Sequence, residues 1–106
     1  MSMSTIGVPL EGFGAYCRAA AAAGAVLLKN EGHMLPLKKE EMVSVFGRCQ
    51  FETYRSGTGS GGAVNVPYAV NIYDGMRESG SFTLNEELAD IYRAWLKDHP
   101  FDNGGG

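Results

Sequence analysis

The sequence is poor in the features that announce disulfide, metal, membrane or nucleic-acid chemistry. It holds two cysteines, Cys17 and Cys49, without CxxC spacing. That excludes a disulfide-dense scaffold and leaves no zinc-type ligand set. Its two histidines, His33 and His99, are isolated and form no ligand cluster, so no metal and no cofactor are expected. Nine Lys and Arg against twelve Asp and Glu give a net charge of −3, with the basic residues scattered. Such a balance lacks the positive footprint of a nucleic-acid binder or of a protein held on an anionic membrane. The longest apolar run, residues 19–28, is interrupted by Gly24. It is about half as long as the roughly 20 residues a membrane span needs. Residues 1–16 carry neither the basic start nor the apolar stretch of a signal peptide. The expectation is two reduced, partly buried thiols in a cytoplasmic chain.

What is present is ordinary packing material in a short chain. At 106 residues, 44% hydrophobic and 20% charged, it is globular and at most one small domain. Residues 1–10 have no periodicity and read as a loose arm. Alanines dominate residues 11–23 and predict a helix with a slim face suited to lying on a sheet, stopped or bent at Gly24. Residues 25–28 read as a short strand closed by the turn residues Asn30, Glu31 and Gly32. Residues 43–46 predict a strand apolar enough to be central and covered on both faces, ended by Gly47.

Residues 71–79 predict a helix with Ile72, Met76 and Tyr73 as its inward candidates and Gly80 as its stop. A brief extended piece at 81–84 precedes the clearest element, where Leu88, Ile91, Tyr92, Trp95 and Leu96 form an amphipathic helical stripe ended by Pro100. Its start has two candidate caps, Thr83 in a capping box with Glu86, or Asn85. This order fits an α/β layered domain that is left incomplete, since a parallel sheet normally needs more strands than the two or three read here.

Residues 47–67 form a long loop, and the glycines of this chain are concentrated at 57–62, within it, and at 104–106. Gly57, Gly59 and Gly62 satisfy GxGxxG, but a dinucleotide fingerprint turns directly from strand into helix. Here the preceding strand ends about ten residues earlier and the loop runs on to Pro67. A phosphate-binding P-loop fails because no Lys-Ser/Thr pair follows the glycines. Two readings remain open on the residues alone: a plain surface loop, or a ligand-binding one. Arg48, Gln50, Tyr54, Arg55, Ser56, Thr58 and Ser60 are groups that stack on and hydrogen-bond to sugars, and glycines permit close approach of backbone to a ligand. A loop beyond the carboxyl end of a strand also lies where open α/β sheets bind ligands.

The order of motifs resembles one family. Residues 19–23, then Ala25-Val26-Leu27-Leu28-Lys29-Asn30-Glu31-Gly32 and Leu35-Pro36-Leu37, closely resemble the entry to the α/β sandwich domain of family 3 glycoside hydrolases. Residues 43–47 look like that domain's first long strand. Arg48-Cys49-Gln50 with Tyr54 and residues 56–62, followed by Val64-Asn65 and Tyr68, is similar to the β-glucosidase-like members.

The resemblance, which spans roughly residues 11–100, implies part of a three-layer α/β sandwich with a partial, mostly parallel sheet and flanking helices. It implies retaining hydrolysis of β-glucosides or oligosaccharides by two carboxyl groups. It also implies a partner barrel domain carrying the nucleophilic Asp in a Ser-Asp-Trp-like context. Neither that triplet nor the Gly-Arg-x-x-Gly-Glu-like context of the acid/base occurs here, so no catalytic residue is carried over to this chain. The position of Met1 shortly before the sandwich entry implies a parent with sandwich first and barrel second. The expectation is a glycosidase fragment that is inactive alone and rims a sugar pocket through Arg48, Gln50, Tyr54, Arg55, Ser56, Thr58 and Ser60. The alternative is a stand-alone carbohydrate-binding or interaction module.

Overall fold

Helix α1, Phe13–Gly24, is built on five successive alanines, the residue that loses least on entering a helix. No side chain caps its start and none of its residues is buried, so propensity alone holds it. It ends where Ala25 turns to extended backbone. The computed structural model describes residues 8–54 and 66–101. It divides into two compact units, Met1–Leu35 and Pro36–Gly106.

Within the first unit, residues 25–30 form no strand, contrary to the sequence expectation, and Leu28 is 92% exposed. A strand exists only where a neighbour takes its hydrogen bonds, and the one sheet among the described residues pairs two other segments. Order in this stretch comes from Asn30. Its Nδ2 donates to the Leu35 carbonyl at 2.8 Å, and its Oδ1 accepts from the Leu35 N–H at 2.9 Å. This two-way clasp spans the 3-10 turn Glu31–His33 and gives a physical meaning to the Lys-Asn-Glu-Gly and Leu-Pro-Leu pair read from the sequence.

The second unit is a parallel two-stranded ladder with two helices. Strand β1, Met42–Val43, pairs with β2, Thr83–Leu84, in the register Met42 to Thr83 and Val43 to Leu84. The flanking bonds are Thr83 N–H to the Glu41 carbonyl at 3.0 Å and Asn85 N–H to the Val43 carbonyl at 2.9 Å. The strand predicted at 43–46 is thus shorter and shifted, because its partner must turn into a helix at once. Val43 and Val45 face the core while Met42, Ser44 and Phe46 are exposed, so this segment is covered on one face, not on both.

Helix α2, Ile72–Ser79, forms where the sequence places it, with Tyr73 buried and Met76 against the core, but Ile72, expected to face inward, is 48% exposed. Asn71 caps it by accepting from the Asp74 N–H at 2.7 Å, and Gly80 closes it at φ 63°, a left-handed conformation that suits glycine. Helix α3, Glu86–Asp98, starts on the second of its two candidate caps. The Asn85 Oδ1 accepts from the Leu88 N–H at 3.1 Å, and its Nδ2 donates to the Ser44 hydroxyl at 3.0 Å. One side chain therefore caps the helix and holds it to the segment after β1.

The core of this unit is Tyr73, Leu84 and Ala89, with Val43, Val45, Phe51, Met76 and Phe82 packed round them. The predicted stripe is only half covered: Ile91 is 62% exposed and Trp95 also faces outward, while small Ala89 is the buried centre. Both cysteines are free and exposed, a correction to the partly buried thiols expected from composition.

Candidate functional site

The chain leaves the β1 segment through Gly47, whose φ of 98° and ψ of 146° lie where an L side chain is strained. This kink redirects the backbone into the 3-10 turn Arg48–Gln50. Gln50 is 2% exposed. Its Nε2 donates to the Val45 carbonyl at 2.9 Å and to the Gly47 carbonyl at 2.8 Å, so its amide stitches the turn to the strand end. Its Oε1 is buried without a hydrogen-bond partner among the described residues. Thr53 extends the stitching: its hydroxyl donates to the Cys49 carbonyl at 2.7 Å and accepts from the Ile72 N–H at 3.0 Å, tying the turn to the start of α2.

Arg48 is the hub of a cluster of charged and aromatic side chains. Its Nε and Nη2 donate to the Glu52 Oε2 at 2.8 and 2.6 Å, and Nη2 also donates to the His99 carbonyl at 2.9 Å. The guanidinium carbon stands 5.6 Å from the Trp95 ring centre and 5.7 Å from that of Phe101. Trp95 and His99, one turn apart at the end of α3, stack at 4.0 Å with ring planes 5° apart. The His99 Nδ1 lies 2.9 Å from the Trp95 carbonyl, which can only accept, so this nitrogen carries the proton. Phe101 meets Tyr54 edge-on at 6.4 Å.

Two hollows flank this cluster. One of about 360 Å³ is lined by Arg48, Ile91, Tyr92 and Trp95. The other, of about 230 Å³, is lined by Glu52, Thr53, Tyr54 and Phe101. Aromatic walls with a few fixed polar groups suit an amphipathic ligand such as a sugar ring, which offers apolar C–H faces and hydroxyl edges. No group of three or more metal-ligating side chains occurs among the described residues. No described helix is long and apolar enough to cross a membrane.

Of the residues singled out in the sequence, the structure brings Arg48 and Tyr54 to this cluster and places Gln50 beneath it. Arg55, Ser56, Thr58 and Ser60 lie outside the described residues. Sequence reasoning missed Trp95, His99 and Phe101, having assigned Trp95 to an amphipathic stripe and set His99 aside as an isolated histidine. The i,i+4 spacings of Arg48 with Glu52 and of Trp95 with His99 were the available signals.

Elsewhere in the unit the Tyr73 hydroxyl is buried without a hydrogen-bond partner among the described residues. Burial pushes this phenol above its ordinary value, and the Glu86 carboxylate adds to the rise. Arg93 covers the Phe51 and Tyr73 rings at 4.8 and 5.0 Å and is held by Asp90 at 2.8 Å, which places a cation over the buried aromatic pair.

The glycosyl hydrolase family 3 C-terminal domain profile matches residues 25–97. The chain belongs to this family. It is 49% identical over 85 residues to a beta-glucosidase of Ruminococcus albus, an alignment covering 80% of this chain and 9% of that protein. To beta-glucosidase A of Butyrivibrio fibrisolvens it is 35% identical over 80 residues, covering 74% and 10%. The crystal structure of a beta-glucosidase from Paenibacillus barengoltzii superposes with a TM-score of 0.87 at 63% identity, covering 98% of this chain and 11% of that one. The family 3 chain thus spans about a tenth of the length of these relatives. Helices packed on a parallel pair of strands agree with an α/β domain of this family.

Proposed function

We propose that this chain is the first part of the α/β sandwich domain of a retaining β-glucosidase, and that it supplies the rim of the sugar pocket. The observation that carries the reading is the 63% identity and 0.87 TM-score, over 98% of the chain, to a protein characterised as a beta-glucosidase. The aromatic and guanidinium cluster beyond the carboxyl end of β1 supports it, because that is where open α/β sheets place ligands.

In this reading Tyr54, with Arg55, Ser56, Thr58 and Ser60 after it, faces a β-glucoside or oligosaccharide. Arg48 and Gln50 belong to the same rim, Gln50 by fixing the turn on which Arg48 stands. The two catalytic carboxyl groups, which in a retaining pair sit about 5 Å apart, come from elsewhere in the enzyme, the nucleophile from a barrel domain. Glu52 is engaged by Arg48, so no carboxylate in the described cluster is poised for either role. Three layers in the complete domain and a cytoplasmic location belong to the same proposal.

The test is hydrolysis of p-nitrophenyl β-D-glucopyranoside. The 106-residue chain shows no turnover, whereas the full-length polypeptide carrying it does, with retention of anomeric configuration by NMR. Turnover by the 106-residue chain, or none by the full-length polypeptide, overturns the reading.

A further inference from the structure

Arg48 was read from the sequence as a group that touches sugar, but its surroundings give it a different task. The Nε and Nη2 groups are engaged by Glu52 and by the His99 carbonyl, a link across 51 residues of sequence that joins the turn after β1 to the end of α3. The paired carboxylate offsets the positive charge. Pro100 follows His99, and its ring fixes φ near −65°, so one free backbone rotation fewer separates the held His99 carbonyl from the residue after Pro100. That residue is Phe101, whose ring lies 5.7 Å from the guanidinium on one side and 6.4 Å from the Tyr54 ring on the other.

We propose that Arg48 is a positioning residue of the sugar pocket, holding Phe101 and, through it, the Tyr54 ring, without itself contacting the sugar. The inference deepens the β-glucosidase reading and rests on it. The planar fork is essential to this role: it takes one carboxylate oxygen with two N–H groups, reaches a carbonyl and presents a flat cation to two rings. A lysine ammonium has three donors but no planar fork, so it cannot grip one oxygen with two N–H groups while laying a flat cation against the rings.

The experiment is a double-mutant cycle in the full-length polypeptide, with kcat and KM measured on p-nitrophenyl β-D-glucopyranoside. Arg48→Met and Phe101→Leu each raise KM by roughly three- to tenfold, the size of one lost cation–π or aromatic contact. The kcat stays within about twofold, as befits lost ground-state positioning. The double variant is no worse than the poorer single one, because both changes break the same link. Arg48→Lys does not rescue.

A wild-type KM in Arg48→Lys, an unchanged KM in Arg48→Met, or losses that multiply in the double variant each overturn the positioning role. Should Arg48→Met fail to fold, Arg48→Lys with Phe101→Leu forms the same cycle. An inactive wild type fails the β-glucosidase reading itself, whereas an active wild type with multiplying losses fails the Arg48 assignment alone.

Discussion

Gly47 and Tyr73 show how single residues carry the arrangement round the cluster. A Cβ built on Gly47 meets nothing within 4 Å, so space is not what demands glycine there; the φ of 98° is. Gly47→Ala is therefore expected to destabilise the fold by about 1–3 kcal/mol through backbone strain alone, read by urea unfolding, and to loosen the turn that carries Arg48.

Tyr73 is 1% exposed and its hydroxyl has no hydrogen-bond partner among the described residues. Leaving a buried hydroxyl unpaired costs about 1–3 kcal/mol, so Tyr73→Phe is expected to be neutral or stabilising at pH 7. The raised phenol also makes stability depend on pH. Below pH 10, the ordinary value, the phenol is protonated in both states and its contribution is fully present. As the pH rises past that value the unfolded chain releases its proton first, so stability is lost up through the folded value. Unfolding between pH 9 and 11 shows this fall in the wild type, and a smaller one in Tyr73→Phe.

Among the elements, Asn85 joins β1, β2 and α3. Its backbone N–H extends the β1–β2 ladder, its Oδ1 caps α3 and its Nδ2 holds Ser44. Asn85→Ala removes both side-chain bonds and is expected to cost about 1–2 kcal/mol, at the upper end of cap removals. Asn85→Asp keeps the cap acceptor and should recover more than half of the loss, which thermal unfolding of the two variants compares directly.

The elements also show what was legible in the sequence. α2 and α3 were, since a capping Asn, a 3.6-residue apolar period, and a Gly or Pro stop are local signals. The strand expected at 25–28 was not there, because a strand is a relation between two segments and a run of apolar residues states only half of it. The strand expected at 43–46 shrank to Met42–Val43 for the complementary reason: the helix cap at Asn85 ends its partner.

Among the described residues, the buried hydrophobic core of the second unit is three side chains, while Met42, Phe46, Ile72, Ile91 and Trp95 are exposed. Exposed apolar surface on this scale marks interaction faces or an association hazard. The 106-residue chain in isolation is expected to bind the hydrophobic dye ANS and to melt over a broad range with a concentration-dependent midpoint. A sharp, concentration-independent transition without dye binding would show instead that these faces need no partner.

Residue types at short spacing were enough to indicate the family, the helices and their stops, and an arginine, tyrosine and glycine-rich loop after a strand. Local backbone preference and motif order suffice for these. It took the folded unit to bury Gln50 beneath the turn, to hold Arg48 between Glu52 and the His99 carbonyl, and to bring Trp95 and Phe101 to the walls of the cluster. Those facts depend on which segments meet across some fifty residues of chain, and such meetings are set by the packing of the whole unit rather than by any one stretch.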